Sequence, residues 1–194
     1  MSDPTPTLHP AQNRGLRELY ATTRNLAGHW DWLAQRFYDP ETRQALLNGA
    51  GRARTLMEEL PPALEAHNLY VGPAARQAGA SISGLRTGVG DRFLERNQAL
   101  RTALLDVQHV VTLLGYQAEL AQSQGTADLA DFCRRWEREL TAVERAARRA
   151  TARLGRDPDA AIERLDQSAA GKAAHGSANL VGTFGEWFDR RRAR

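Results

Sequence analysis

The chain has 194 residues, about the length of one domain with an appendage, and at 42% hydrophobic and 25% charged it can build a globular core. No apolar run nears the ~20 residues that span a bilayer, and the one cysteine, Cys133, excludes an intramolecular disulfide framework and any multi-cysteine metal site. Lys+Arg total 26 against 23 Asp+Glu, a net charge of +3, which permits nucleic-acid contact without arguing for it. Lys172 is the only lysine, so the arginine content reads as a codon bias as much as a functional choice.

Residues 1–13 hold Pro4, Pro6 and Pro10 without apolar periodicity and are expected to form a loose arm. The opening MSDPTPTLHP has neither the basic start nor the apolar stretch of a signal peptide, so the expectation is a soluble, cytoplasmic protein. Leu16, Leu19, Thr23, Leu26, Trp30, Leu33 and Phe37 then recur at steps of three and four, the stripe of an amphipathic helix. Asp39 is a cap for a second helix with Pro40 in its first turn. Its stripe is Leu46, Ala50, Ala53, Met57, Leu60, Leu64 and His67, and Pro61 and Pro62 predict a kink or change there.

A weaker third helix runs through Ile82, Leu85, Val89 and Phe93, with Gly84, Gly88 and Gly90 suited to close packing. A fourth stripe, Leu100, Leu104, Val107, Val111, Leu114, Ala118 and Ala121, either follows it or continues it through a bend near Asn97. Gly125 and Thr126 open a fifth segment through Leu129, Cys133, Trp136, Leu140, Val143, Ala147, Ala150 and Leu154. Asp157-Pro158 starts a short helix through Ile162 and Leu165, followed by an Ala/Gly-rich stretch and an aromatic and arginine tail. Long amphipathic helices joined by short turns predict an all-α, up-and-down four-helix bundle over residues 14–155, with 156–194 a C-terminal helical extension.

In order and spacing, residues 15–150 resemble the YciE/YciF family of ferritin-like proteins. The family's Leu-Tyr-x-Ala-Glu-x-x-Leu stands against Leu19-Tyr20-Ala21-Thr22-Thr23-Arg24-Asn25-Leu26, and its Gly-Leu-x-Glu-Glu against Gly84-Leu85-Arg86-Thr87-Gly88. Its Val-Glu-His-Tyr-Glu is similar to Val107-Gln108-His109-Val110-Val111, and a turn at Gln124-Gly125 precedes a last helix with the paired acids Glu137 and Glu139. The resemblance implies a ferritin-like bundle in which facing carboxylates and histidines hold two metal ions. At the carboxylate positions this chain has Thr23, Thr87 (or Gly88), Gln108 and Val111, and His109 alone matches a ligand. An ionised carboxylate in a bundle core without metal costs several kcal/mol, so neutral replacements fit a vestigial centre. The expectation is a non-catalytic, stress-associated homodimer without a metal cofactor. Pairing is common among ferritin-like bundles, and Trp30, Trp32, Trp136 and Trp187 exceed the needs of one slender core.

Two alternatives remain. A rearranged site using Asp106, His109, Glu137 and Glu144 would make the chain an Fe- or Mn-binding oxidase or storage protein, since Asp106 and His109 at D-x-x-H spacing share a helix face. Asp106 in solvent and His109 with one hydrogen bond near the core is the plainer account. The tail, Phe184, Trp187 and Phe188 followed by Arg190, Arg191, Arg192 and Arg194, suits docking on the bundle or on a second subunit; the alternative is nucleic acid or an anionic membrane. His29 before Trp30 also resembles the miniferritins, with Asp31, Glu58 and Glu59 as ligands at an interface, against an ordinary packing edge. Cys133 on its stripe reads as a buried thiol, and Glu137, Arg138, Glu139, Glu144, Arg145, Arg148 and Arg149 as a solvated surface of alternating sign.

Overall fold

The computed structural model describes residues 8–69 and 94–165. It contains α1 (Pro10–Ala34), α2 (Pro40–Glu65), α3 (Arg96–Ser123), α4 (Ala127–Leu154) and the short α5 (Pro158–Ile162), with no strand among the described residues beyond one isolated bridge, Glu95 to Arg164. The expected stripe through Ile82, Leu85, Val89 and Phe93 lies outside the described residues.

Each start has a local cause. Pro10 opens α1 behind His9, whose Nδ1 accepts from the Ala11 N–H at 3.2 Å. The helix thus begins inside the stretch expected as a loose arm, and Gln12 is fully buried in it. A proline already set at helical φ, in a first turn that needs no N–H, is the reason. Asp39 caps α2 as expected, accepting from Thr42 N at 2.7 Å. Helix α2 then runs through Pro61 and Pro62 to Glu65 rather than changing there. Both prolines fall near its C-terminal end, and Leu60 and Leu64, each fully buried, hold that turn against the core. Asn68, at φ 55°, ends the segment. Helix α3 does not continue an earlier one: Glu95 and Gln98 form a capping box, and the Leu94 carbonyl accepts from Leu165 N at 3.1 Å. Gly125, at φ 73°, makes the turn into α4.

All seven members of the α1 stripe are buried. In α2, Leu56 is fully buried while Met57 is half-buried; in α3, Ala103 and Val110 are buried while Leu104 and Val111 are half-buried. These helices each pack on two neighbours, which widens the buried face beyond a single three-four stripe. Ile162, expected on a buried face, is 58% exposed, and Leu165 alone reaches the core. Glu163 O accepts from Arg96 N at 2.9 Å and Ala161 O from Asn97 Nδ2 at 2.9 Å, docking the first residues of the extension on the start of α3.

The four long helices form a ring in which α1 packs on α2 and α3, and α4 packs on α3 and α2. Gly15 stands by Gln117 while His29 bonds Asp106, so α1 and α3 are antiparallel. Glu41 pairs with Arg153 and His67 with Asp128, so α2 and α4 are antiparallel. Gln108 bonds Glu144 and Glu119 pairs with Arg134, so α3 and α4 are antiparallel too. Hence α2 and α3 run parallel. Leu69 lies by the start of α4, whereas Leu94 lies at the opposite end, where Arg96 stacks over Tyr38. The order is up-down-down-up with one long crossover, not up-and-down. Leu69 and Leu94 thus lie at opposite ends of a bundle whose 28-residue helix is about 42 Å long, so a short turn cannot join α2 to α3.

Candidate functional site

The interior where the resemblance would seat two metal ions is neutral in the described residues. Thr23 is fully buried on α1, its hydroxyl without a hydrogen-bond partner. Gln117 is fully buried on α3 with its amide pressed against Gly15, and Gln12 reaches Thr126 Oγ1 through Nε2 at 3.4 Å. The rest is apolar: Trp30, lying where a side chain at Gly49 would stand, donates from Nε1 to Ala103 O at 3.2 Å. Of the other positions where the family carries carboxylates, Gln108 and Val111 are half-buried, and Thr87 lies outside the described residues.

The four alternative ligands are not brought together. Asp106 turns to α1, where its Oδ2 lies 2.5 Å from Nδ1 of the nearly buried His29. His109 also faces α1 but sits on the surface, its Nε2 3.2 Å from Glu18 Oε1. Its expected place near the core is therefore corrected: Val107 and Val110 take the buried positions, and the turn between them carries His109 outward. Glu144 lies on the opposite side of α3, accepting from Gln108 Nε2 at 3.1 Å and from Arg148. Glu137 stands against Gly115. Among the described residues no three His, Cys, Asp or Glu side chains are grouped to hold a metal ion.

Two of the three acids considered for an intersubunit site have partners within the chain, and the third, Glu58, is exposed. Asp31 pairs with Arg54, while Glu59 Oε2 accepts from Arg135 at 2.6 Å and from Trp136 Nε1 at 3.1 Å. The Arg135 bond holds the Glu59 carboxyl below its ordinary range. For Glu144, burial pushes the other way but is outweighed by the Gln108 and Arg148 bonds and the Arg148 and Arg145 charges. Cys133 is fully buried, and burial, with the Glu137 charge behind it, pushes its thiol up to about 12. His67, expected as a helix-end residue, is buried and pairs with Asp128 at 3.1 Å.

Two features escaped the sequence reading. The His29–Asp106 pair joins residues that had been singled out separately, and the clue was His29 beside the stripe member Trp30. Gln117 stands three residues after Leu114, itself a stripe position. Trp30 and Trp136 are consumed by the chain's own core and Trp32 lies under Arg36, while Trp187, Arg190, Arg191, Arg192 and Arg194 lie outside the described residues. No helix among the described residues is long and apolar enough to cross a membrane. No protein-family model, curated protein or solved structure matches the chain.

Proposed function

We propose that this protein is a non-catalytic, ferritin-like bundle of the cytoplasm, stress-associated and homodimeric, whose di-metal centre has given way to neutral packing. The supporting observation is the distribution of charge: among the described residues Gln12, Thr23 and Gln117 are the fully buried polar side chains, while Asp31, Glu59, Asp106 and Glu144 each meet an arginine, glutamine or histidine at a helix seam. Carboxylates already satisfied this way have little to offer a hard cation. The single long crossover, which ferritin-like folds also use, supports the class. The stress association rests on the resemblance alone.

Elemental analysis of unmodified, chelator-free protein tests the reading. The expected result is far less than one Fe, Mn or Zn per chain and no ferroxidase activity. About two metals per chain, lost on replacing His109 and Glu144 by alanine, would establish the rearranged centre instead. Light scattering behind size exclusion should give twice the 21.5 kDa chain mass; a monomer at working concentration removes the dimer.

A further inference from the structure

In sequence, α4 alternates in sign; in the fold, the signs separate. Over residues 138–156 there are six arginines and two glutamates, a local charge of +4 in a chain whose total is +3. Both glutamates turn toward neighbouring helices or local partners: Glu139 pairs with Arg52 of α2, and Glu144 bonds Gln108 of α3 as well as Arg148. Arg153 is taken up by Glu41. What remains outward is a stripe at steps of four, three, four, three and four, namely Arg138, Ala142, Arg145, Arg149, Ala152 and Arg156, every member exposed. Among the described residues, none of its four guanidiniums makes a hydrogen bond or ion pair with a carboxylate.

We propose that this face of α4 binds the phosphodiester backbone of a nucleic-acid duplex. From Arg138 to Arg149, eleven residues at 1.5 Å each spread three of the charges over about 16 Å of one helix edge, and Arg156 follows in the turn just past its end. Alanines between them let a rigid backbone approach, and each guanidinium presents a planar fork suited to phosphate oxygens. The helix dipole accounts for a base in the last turn, where Arg153 lies, but not for Arg138 or Arg145. The stripe holds no aromatic side chain to stack on unpaired bases, so a duplex fits better than a single strand and recognition is independent of sequence. The surface lies apart from the bundle interior and goes beyond the function proposed above, whose metal test it does not touch.

The experiment uses the full chain and a fluorescently labelled, mixed-sequence DNA duplex, with anisotropy followed as salt is raised. Four phosphate contacts give a slope of log Kobs against log salt of about −3.6, a loss of roughly 150-fold between about 50 and 200 mM. Replacing Arg138, Arg145 and Arg149 together by glutamine should shrink that slope by about three. The matching lysine variant, which keeps the charge, should retain it. Circular dichroism melting, unchanged in both, shows that the fold is intact. Absence of duplex binding at low salt overturns the proposal. So does an unaltered slope in the glutamine variant, or a lysine variant that loses binding. Loss of binding only when Arg190, Arg191, Arg192 and Arg194 are replaced, or tighter binding of the single strand, would assign the contact to the tail. Equal binding of polyglutamate would mark a general acidic-partner surface and would also overturn it.

Discussion

Trp30 and Gly49 are a matched pair: a methyl group at residue 49 would lie 2.2 Å from the Trp30 ring and 2.9 Å from Val143 Cγ1. The ring is fully buried and rigid, so Gly49→Ala should destabilise the protein by about 1–3 kcal/mol. Gly28, on α1 with open space around it, is the control: Gly28→Ala should stabilise by about 0.5–1 kcal/mol. Chemical denaturation midpoints separate the two signs. Cys133, with its thiol pushed up to about 12, should resist iodoacetamide at pH 8 in the native protein and react fully in denaturant. Rapid native labelling would mean that α4 opens locally. The buried thiol was legible from the stripe it belongs to. The solvent position of His109 was not, because α3 touches both α1 and α4 and the boundary of its buried face depends on where those neighbours lie.

The helices owe their boundaries to short-range chemistry, which makes them testable one cap at a time. Asp39 accepts the Thr42 N–H, and Asp39→Ala should cost about 1 kcal/mol, measured by thermal or urea unfolding. The Thr42 bond also holds the Asp39 carboxyl below its ordinary value, as Arg135 does for Glu59 and as Gln108 and Arg148 do for Glu144 against burial. Because these folded values lie below the unfolded ones near 4, the stabilisation is present above that pH and fades as pH falls through the folded values. Stability measured from pH 6 down to pH 3 should therefore drop, and Glu59→Gln should flatten part of the drop. An identical pH profile in that variant would remove Glu59 from the account. Asp39-Pro40 and Asp157-Pro158 were readable as starts because a cap needs only residues within a turn. The passage of α2 through Pro61 and Pro62 was not, since Leu60 and Leu64 hold it from the core side.

Viewed whole, the bundle is held by seams whose pairs run in opposite directions, and these seams make α2 and α3 parallel. The connection from Leu69 to Leu94 must therefore cover the length of the bundle. Cutting it to about six residues limits its reach to roughly 20 Å, half of what is required. Such a variant should lose the monomeric bundle, seen as loss of cooperative melting or as swapped oligomers in size exclusion. Retention of a compact, fully helical monomer would refute the parallel arrangement.

Taken alone, the sequence settled what depends on neighbours along the chain: an all-helical class, four long amphipathic segments, their caps and most of their buried stripes. Periodicity and capping are local, so each could be read without knowing what lay opposite. The direction of α3 relative to α2, the pairing of Asp106 with His29, and the parting of arginines from glutamates on α4 depend on which helix lies across each seam. His29 and Asp106, 77 positions apart, meet across one such seam, and only tertiary packing chooses among such partners.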